Sequence, residues 1–95
     1  MIKRIVKLEI KANKVEEFKS LFEHNKQKIL AFDGCQSVVL LQDVHNACIF
    51  FTHSHWESEN QLNSYRNSEF FKSFWAKVKL LFNNKPLAWS LIEIL

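Results

Sequence analysis

The stretch CQSVVLLQDVHNACIFFTHSHWE, residues 35–57, decides the fold. Val38 and Leu40 point one way along an extended chain, while Val39 and Leu41 point the other. After the turn Val44-His45-Asn46-Ala47, Phe50 and Trp56 share one face, and Ile49 and Phe51 share the opposite one. The pattern predicts a β-hairpin, residues 35–43 pairing with 48–57, that is apolar on both faces. A sheet with two greasy faces needs cover on both.

The flanking sequence supplies cover for one face only. Upstream, residues 2–11 alternate: Ile2, Val6, Leu8 and Ile10 share a face that Arg4 interrupts, and Lys3, Lys7, Glu9 and Lys11 take the other with Ile5. This reads as a half-buried first strand. Asn13 then reads as an N-cap with Glu16 completing a capping box. The helix it opens carries Val15, Phe18, Leu21, Phe22 and Ile29 at helical spacing and ends near Phe32, with Gly34 as its left-handed stop. Downstream, Ser58 caps a short helix through Leu62 and Tyr65, with Gln61 at the third position. That helix breaks near Asn67-Ser68 and resumes with Phe71, Phe74, Trp75, Val78 and Phe82 on one stripe. Pro86 opens a last strand in which Leu87, Trp89 and Leu91 face one way and Ile92 and Ile94 the other.

The element order is β-α-β-β-α-β. With right-handed crossovers it predicts an α+β, ferredoxin-like fold: a four-stranded antiparallel sheet with the helices on one face. Residues 1–95 make one domain, since the chain is too short for a second core. The bare sheet face would expose more apolar surface than a monomer ordinarily shows, so a homodimer is expected, each large side chain contributing about 1.5–3 kcal/mol when buried. Strand one dissents, because its second face is mostly charged.

Composition excludes several classes. A net charge of +3 with interspersed acids is a mixed solvated surface and argues against a nucleic-acid partner. No apolar run approaches the roughly 18 residues a membrane span needs. Met1 to Arg4 runs straight into a strand without a signal-peptide pattern. Cys35 and Cys48 fall at the starts of the two hairpin strands. With Cys48 opposite Asp43 they sit roughly 26 Å apart, too far for a disulfide, which fits a reducing, cytoplasmic setting.

Several residues invite chemistry. Asn25 falls in the middle of the apolar stripe of the first helix, where its amide needs a partner. It is bonded either to backbone or water, or to a ligand oxygen. Tyr65, Arg66 and Trp75 flank the helix break, which could open a pocket mouth. Arg66 can hold a phenolate or carboxylate, and Trp56 and Trp75 offer flat walls. The alternative is plain aromatic core with Arg66 at the surface. His53 and His55 share a strand face, but no third ligand has metal-site spacing, so no metal is expected. No Ser-His-Asp set, Gly-rich phosphate loop or Cys-His pair is present.

The opening Ile2-Lys3-Arg4-Ile5-Val6, then Gly34-Cys35, Leu41-Gln42-Asp43, Trp56-Glu57-Ser58, Leu62, Tyr65-Arg66, Ser68, Phe71, Trp75, Lys79 and Pro86-Leu87-Ala88-Trp89-Ser90 make the chain similar to antibiotic biosynthesis monooxygenase domains of the dimeric α+β barrel superfamily. That resemblance spans nearly the whole chain. It implies a dimer and admits several activities: cofactor-free quinol oxidation, haem degradation or isomerisation. The haem-degrading branch carries Asn-Ser-Asp-x-Phe-Lys-x-x-His. Here residues 67–75 read Asn-Ser-Glu-Phe-Phe-Lys-Ser-Phe-Trp, with Trp75 in place of the iron ligand. The resemblance then implies a monooxygenase without a cofactor, acting on a quinol or phenol. On that reading His53, His55 or Tyr65 takes the substrate proton, while Asn25, Trp56, Arg66, Phe71 and Trp75 hold the ring and its oxygens. The competing reading is a non-catalytic dimeric module that binds a small ligand or a protein. An RNA-recognition domain shares the element order, but strand three has no Gly, Lys or Arg and strand one no aromatic.

Overall fold

The computed structural model describes residues 1–95. Strands β1 (Ile2–Glu9), β2 (Cys35–Gln42), β3 (Ile49–Trp56) and β4 (Leu87–Leu91) form one sheet in the order β2-β3-β1-β4. Every neighbouring pair is antiparallel. Helix α1 (Val15–Leu30) crosses from β1 to β2, and α2 (Glu59–Arg66) and α3 (Glu69–Lys79) cross from β3 to β4. This is the expected ferredoxin-like topology, and the expected break in the second crossover yields two separate helices.

The helices cover the even-numbered face of β1 and β3. Leu8, Ile10, Phe50 and Trp56 are all at most 1% exposed. They pack with Phe18, Phe22 and Ile29 of α1, Leu62 and Tyr65 of α2, and Phe74 and Val78 of α3. β1 decides this polarity, because only its even face is apolar enough to bury. Beyond β1, Ile10 continues as a single bridge to Phe82.

Two helix ends differ from the sequence reading. Asn13 does not cap α1. It lies inside a 3₁₀ turn, Ala12–Lys14, and α1 has no side-chain cap. The turn closes with Lys14 N–H donating to the Lys11 carbonyl at 2.8 Å. The tighter turn satisfies a donor that a cap would otherwise take. Nor is Gly34 the helix stop: α1 ends at Leu30 with Ala31 as a right-handed C-cap. Gly34 instead supplies the positive φ, 86°, of the turn into β2. There its carbonyl accepts from Glu57 N–H at 2.8 Å, fastening the turn to the end of β3.

Ser58 caps α2 as expected, its Oγ accepting from Gln61 N–H at 3.2 Å. Ser68 caps α3 in the same way, accepting from Phe71 N–H at 3.1 Å while its hydroxyl donates to the Tyr65 carbonyl at 2.6 Å. One serine therefore ends α2 and starts α3, which explains the break in sequence terms.

On the odd face the registers align three cross-sheet rows: Ser37–His55–Lys3–Leu91, Val39–His53–Ile5–Trp89 and Leu41–Phe51–Lys7–Leu87. No helix covers them. Val39, Leu41, Leu87, Trp89 and Leu91 are exposed, as are Ile92, Ile94 and Leu95 after β4. Lys3 pairs with Glu93 at 3.3 Å. The hairpin register is one residue off the sequence estimate. Gln42 pairs with Phe50, and Asp43 N–H donates to the Ile49 carbonyl, so Cys48 lies past Asp43. Cys35 faces Trp56 at the far end, and both thiols are free.

Candidate functional site

A cavity of about 240 Å³ opens between the helices and the even face of the sheet. Its floor is Val6, Thr52 and Ser54, and its far side is closed by Phe22 and Ile29 of α1. α2 contributes Leu62, Tyr65 and Arg66; α3 contributes Phe71, Phe74 and Trp75; and Pro86 and Ala88 bound it beside β4. β4 is exposed along its whole length.

The aromatic wall is continuous. Trp56 stacks on Tyr65 at 4.9 Å between ring centroids, and Tyr65 meets Phe71 edge-on at 5.1 Å. Phe71 stacks in turn on Trp75 at 5.7 Å. The helix break builds this wall: Tyr65 hangs from the end of α2, and Phe71 and Trp75 sit one turn apart on α3. Trp56, 0% exposed, is oriented by its indole N–H donating to Ser54 Oγ at 3.0 Å.

Tyr65 is buried, and its hydroxyl makes no hydrogen bond within the chain while the residue lines the cavity. Burial, followed by the neighbouring Cys35, pushes its phenol well above the ordinary tyrosine value. At neutral pH it is a hydrogen-bond donor rather than a base.

Five of the residues singled out from sequence meet at this cavity: Trp56, Tyr65, Arg66, Phe71 and Trp75. The other three do not. Asn25 is half-buried on α1 and donates from Nδ2 to the Leu21 carbonyl at 2.7 Å, within its own helix. His53 and His55 lie on the odd face, across the sheet from the cavity, with ring centroids 4.7 Å apart. His55 Nδ1 is 2.8 Å from Ser37 Oγ. His53 Nε2 is buried without any partner. No group of three His, Cys, Asp or Glu side chains is placed to hold a metal ion.

The cavity also contains a residue that the pattern reading passed over. Arg4 lines it, from the centre of the sheet. Its Nη1 donates to Ser90 Oγ at 2.9 Å. Burial, followed by the positive charge of Arg66, lowers its pKa. The available signal was the interruption itself: a cation on the otherwise apolar side of β1.

The antibiotic biosynthesis monooxygenase family profile matches residues 1–77, which include β1, α1, the hairpin, α2 and most of α3. The chain belongs to that family. The Trp56–Ser58 and Tyr65–Phe71 segments that build the aromatic wall all fall within the matched region. No curated protein matches the chain in sequence. Among solved structures, a conserved protein from Methanosarcina mazei Go1 is 22% identical, with a TM-score of 0.90 over 95% of this chain and 89% of its own. A structure described as antibiotic biosynthesis monooxygenase is 16% identical, with a TM-score of 0.91 over 99% of both chains. A Pseudomonas aeruginosa protein is 20% identical, with a TM-score of 0.86 over 99% of this chain and 94% of its own. At these identities the likeness establishes the shared fold. In this family member, no helix is long and apolar enough to cross a membrane.

Proposed function

We propose that this protein is a cofactor-independent monooxygenase that oxidises a small electron-rich aromatic, a quinol or phenol, in the cavity behind the aromatic wall. The observation that carries the reading is that wall, Trp56–Tyr65–Phe71–Trp75, closing an apolar cavity into which the unpartnered phenol of Tyr65 is set. The volume, about 240 Å³, lies just below the roughly 300–1,000 Å³ of drug-sized sites and suits one or two rings.

In this chemistry the substrate supplies all four electrons that dioxygen needs. One ring C–H of the quinol becomes C–OH with an oxygen from O₂, and the two original hydroxyls are oxidised to carbonyls. The product leaves as a hydroxyquinone while the second oxygen departs as water with the two hydrogens lost. The protein has three tasks. The aromatic wall holds the ring and excludes water. Tyr65 donates a hydrogen bond to the substrate oxygen, favouring its anion. Arg66 stabilises the same negative charge, so the proton leaves to solvent rather than to a side-chain base. His53 and His55 take no part in this step, because the sheet separates them from the cavity.

The protein works as a homodimer joined through the odd face. Five exposed apolar side chains there support a second copy as the cover. Two free thiols support a reducing, cytoplasmic setting.

A second reading has one observation in its favour: no Asp, Glu or His lines the cavity to act as a base. On that reading the protein binds an aromatic ligand without turnover. An oxygen electrode with a panel of quinols separates the two. Uptake of one O₂ per substrate, with no added reductant and loss of activity in Tyr65→Phe, supports catalysis. No uptake, with ligand-induced melting shifts, leaves binding alone.

A further inference from the structure

The cavity contains two guanidinium groups and no counter-ion. Arg4 and Arg66 both line it, and none of its other lining residues is an Asp or Glu. All three ion pairs of the chain are elsewhere: Lys3–Glu93 and two within or beside the first turns of α1. Two like charges in one apolar cavity oppose each other, and the basicity of Arg4 is lowered first by its burial and then by the charge of Arg66. A cation at position 66 has a local cause, since it closes the last turn of α2, where the helix dipole favours positive charge. Arg4 has none. It sits mid-strand, with the neutral Ser54 and Ser90 as its cross-strand neighbours, and spends one of its five N–H donors on Ser90.

We infer that the ligand of this cavity is an aromatic acid, its carboxylate held by Arg4 and Arg66 together while its ring lies against Trp56, Tyr65, Phe71 and Trp75. This rests on the cavity being the ligand site and adds the charge of the ligand to that reading. A planar carboxylate matches the fork of a guanidinium, and here it also relieves the repulsion between two of them. The free cavity therefore stores an electrostatic cost that an anion removes and a neutral phenol does not.

The test is anaerobic calorimetry at pH 7, which prevents turnover, with 2,5-dihydroxybenzoate against its neutral counterpart 1,4-dihydroxybenzene. The acid is expected to bind about tenfold tighter or better. The preference should shrink in Arg66→Gln and vanish in the Arg4→Gln/Arg66→Gln double variant, the acid losing more affinity than the neutral quinol in each. Equal affinities of the two ligands for the unmodified protein overturn the inference while leaving the cavity as a ligand site. A preference for the acid that is undiminished in Arg66→Gln, an exposed position, or that persists in the double variant also overturns it. Failure of both ligands to bind removes the cavity reading and this inference together.

Discussion

The wall of the cavity depends on one buried hydrogen bond, from Trp56 Nε1 to Ser54 Oγ at 3.0 Å. Trp56 is 0% exposed and Ser54 8%, so the bond is shielded from bulk water. Removing the acceptor with Ser54→Ala leaves an indole N–H buried and unsatisfied, at a cost of about 1–3 kcal/mol. Trp56→Phe removes the donor and part of the ring, with a volume loss of about the same cost. The double variant has no orphaned group, so it should be less destabilised than the sum of the singles by about 1 kcal/mol or more. Urea unfolding at fixed protein concentration gives all four free energies, the concentration being fixed because association adds to apparent stability. Ser54→Ala should also loosen the Trp56–Tyr65 stack and weaken aromatic ligands. Additivity within about 0.3 kcal/mol, with Ser54→Ala costing nothing, would refute the claim that this bond fixes the wall.

Gly34→Ala should destabilise the fold by about 1–3 kcal/mol in thermal melts, since φ is 86° and a Cβ there would run into the Gln61 side chain; an unchanged midpoint would contradict the tight turn. Replacing Trp89 by Lys at the edge of the odd face should weaken dimerisation by about 2 kcal/mol or more in sedimentation equilibrium. A dimer of unaltered affinity would place the interface elsewhere. His55 is held below its ordinary value near 6.5, first by burial and then by His53 and Lys3. The unfolded chain thus takes up that proton before the folded one does. Stability should be level above about pH 6.5 and fall as pH drops into the window just below it, and His55→Gln should flatten that slope. An identical slope in the variant would sink the assignment.

The topology was legible because period and capping signals agree. β1 alternates apart from Arg4 and Ile5, and Ser58 marks a helix start that the structure uses, while Asn67-Ser68 was legible only as a break. What the hairpin could not reveal is which face the helices take, because Val38 and Leu40 are no more apolar than Val39 and Leu41. That ambiguity allowed His53 and His55 to be grouped with Tyr65 as proton acceptors, although their odd positions on β3 put them on the sheet face away from the cavity. Arg4 was readable only as a blemish in a stripe. Its meaning depends on Arg66 arriving from α2, more than sixty residues away in sequence, which no periodicity encodes. Asn25 fell in the apolar stripe on the helical wheel, but a half-buried amide can satisfy itself on the carbonyl one turn back. Asn13 had the right spacing for a cap, yet the 3₁₀ turn made it redundant.

On the proposed function, ligand binds in the cavity on the even face. A crystal structure grown with saturating 2,5-dihydroxybenzoate under anaerobic conditions tests it most directly. The ring is expected between Trp56 and Trp75, with its carboxylate on Arg4 and Arg66. A ligand bound instead beside His53 and His55 on the odd face, with that cavity empty, would contradict it.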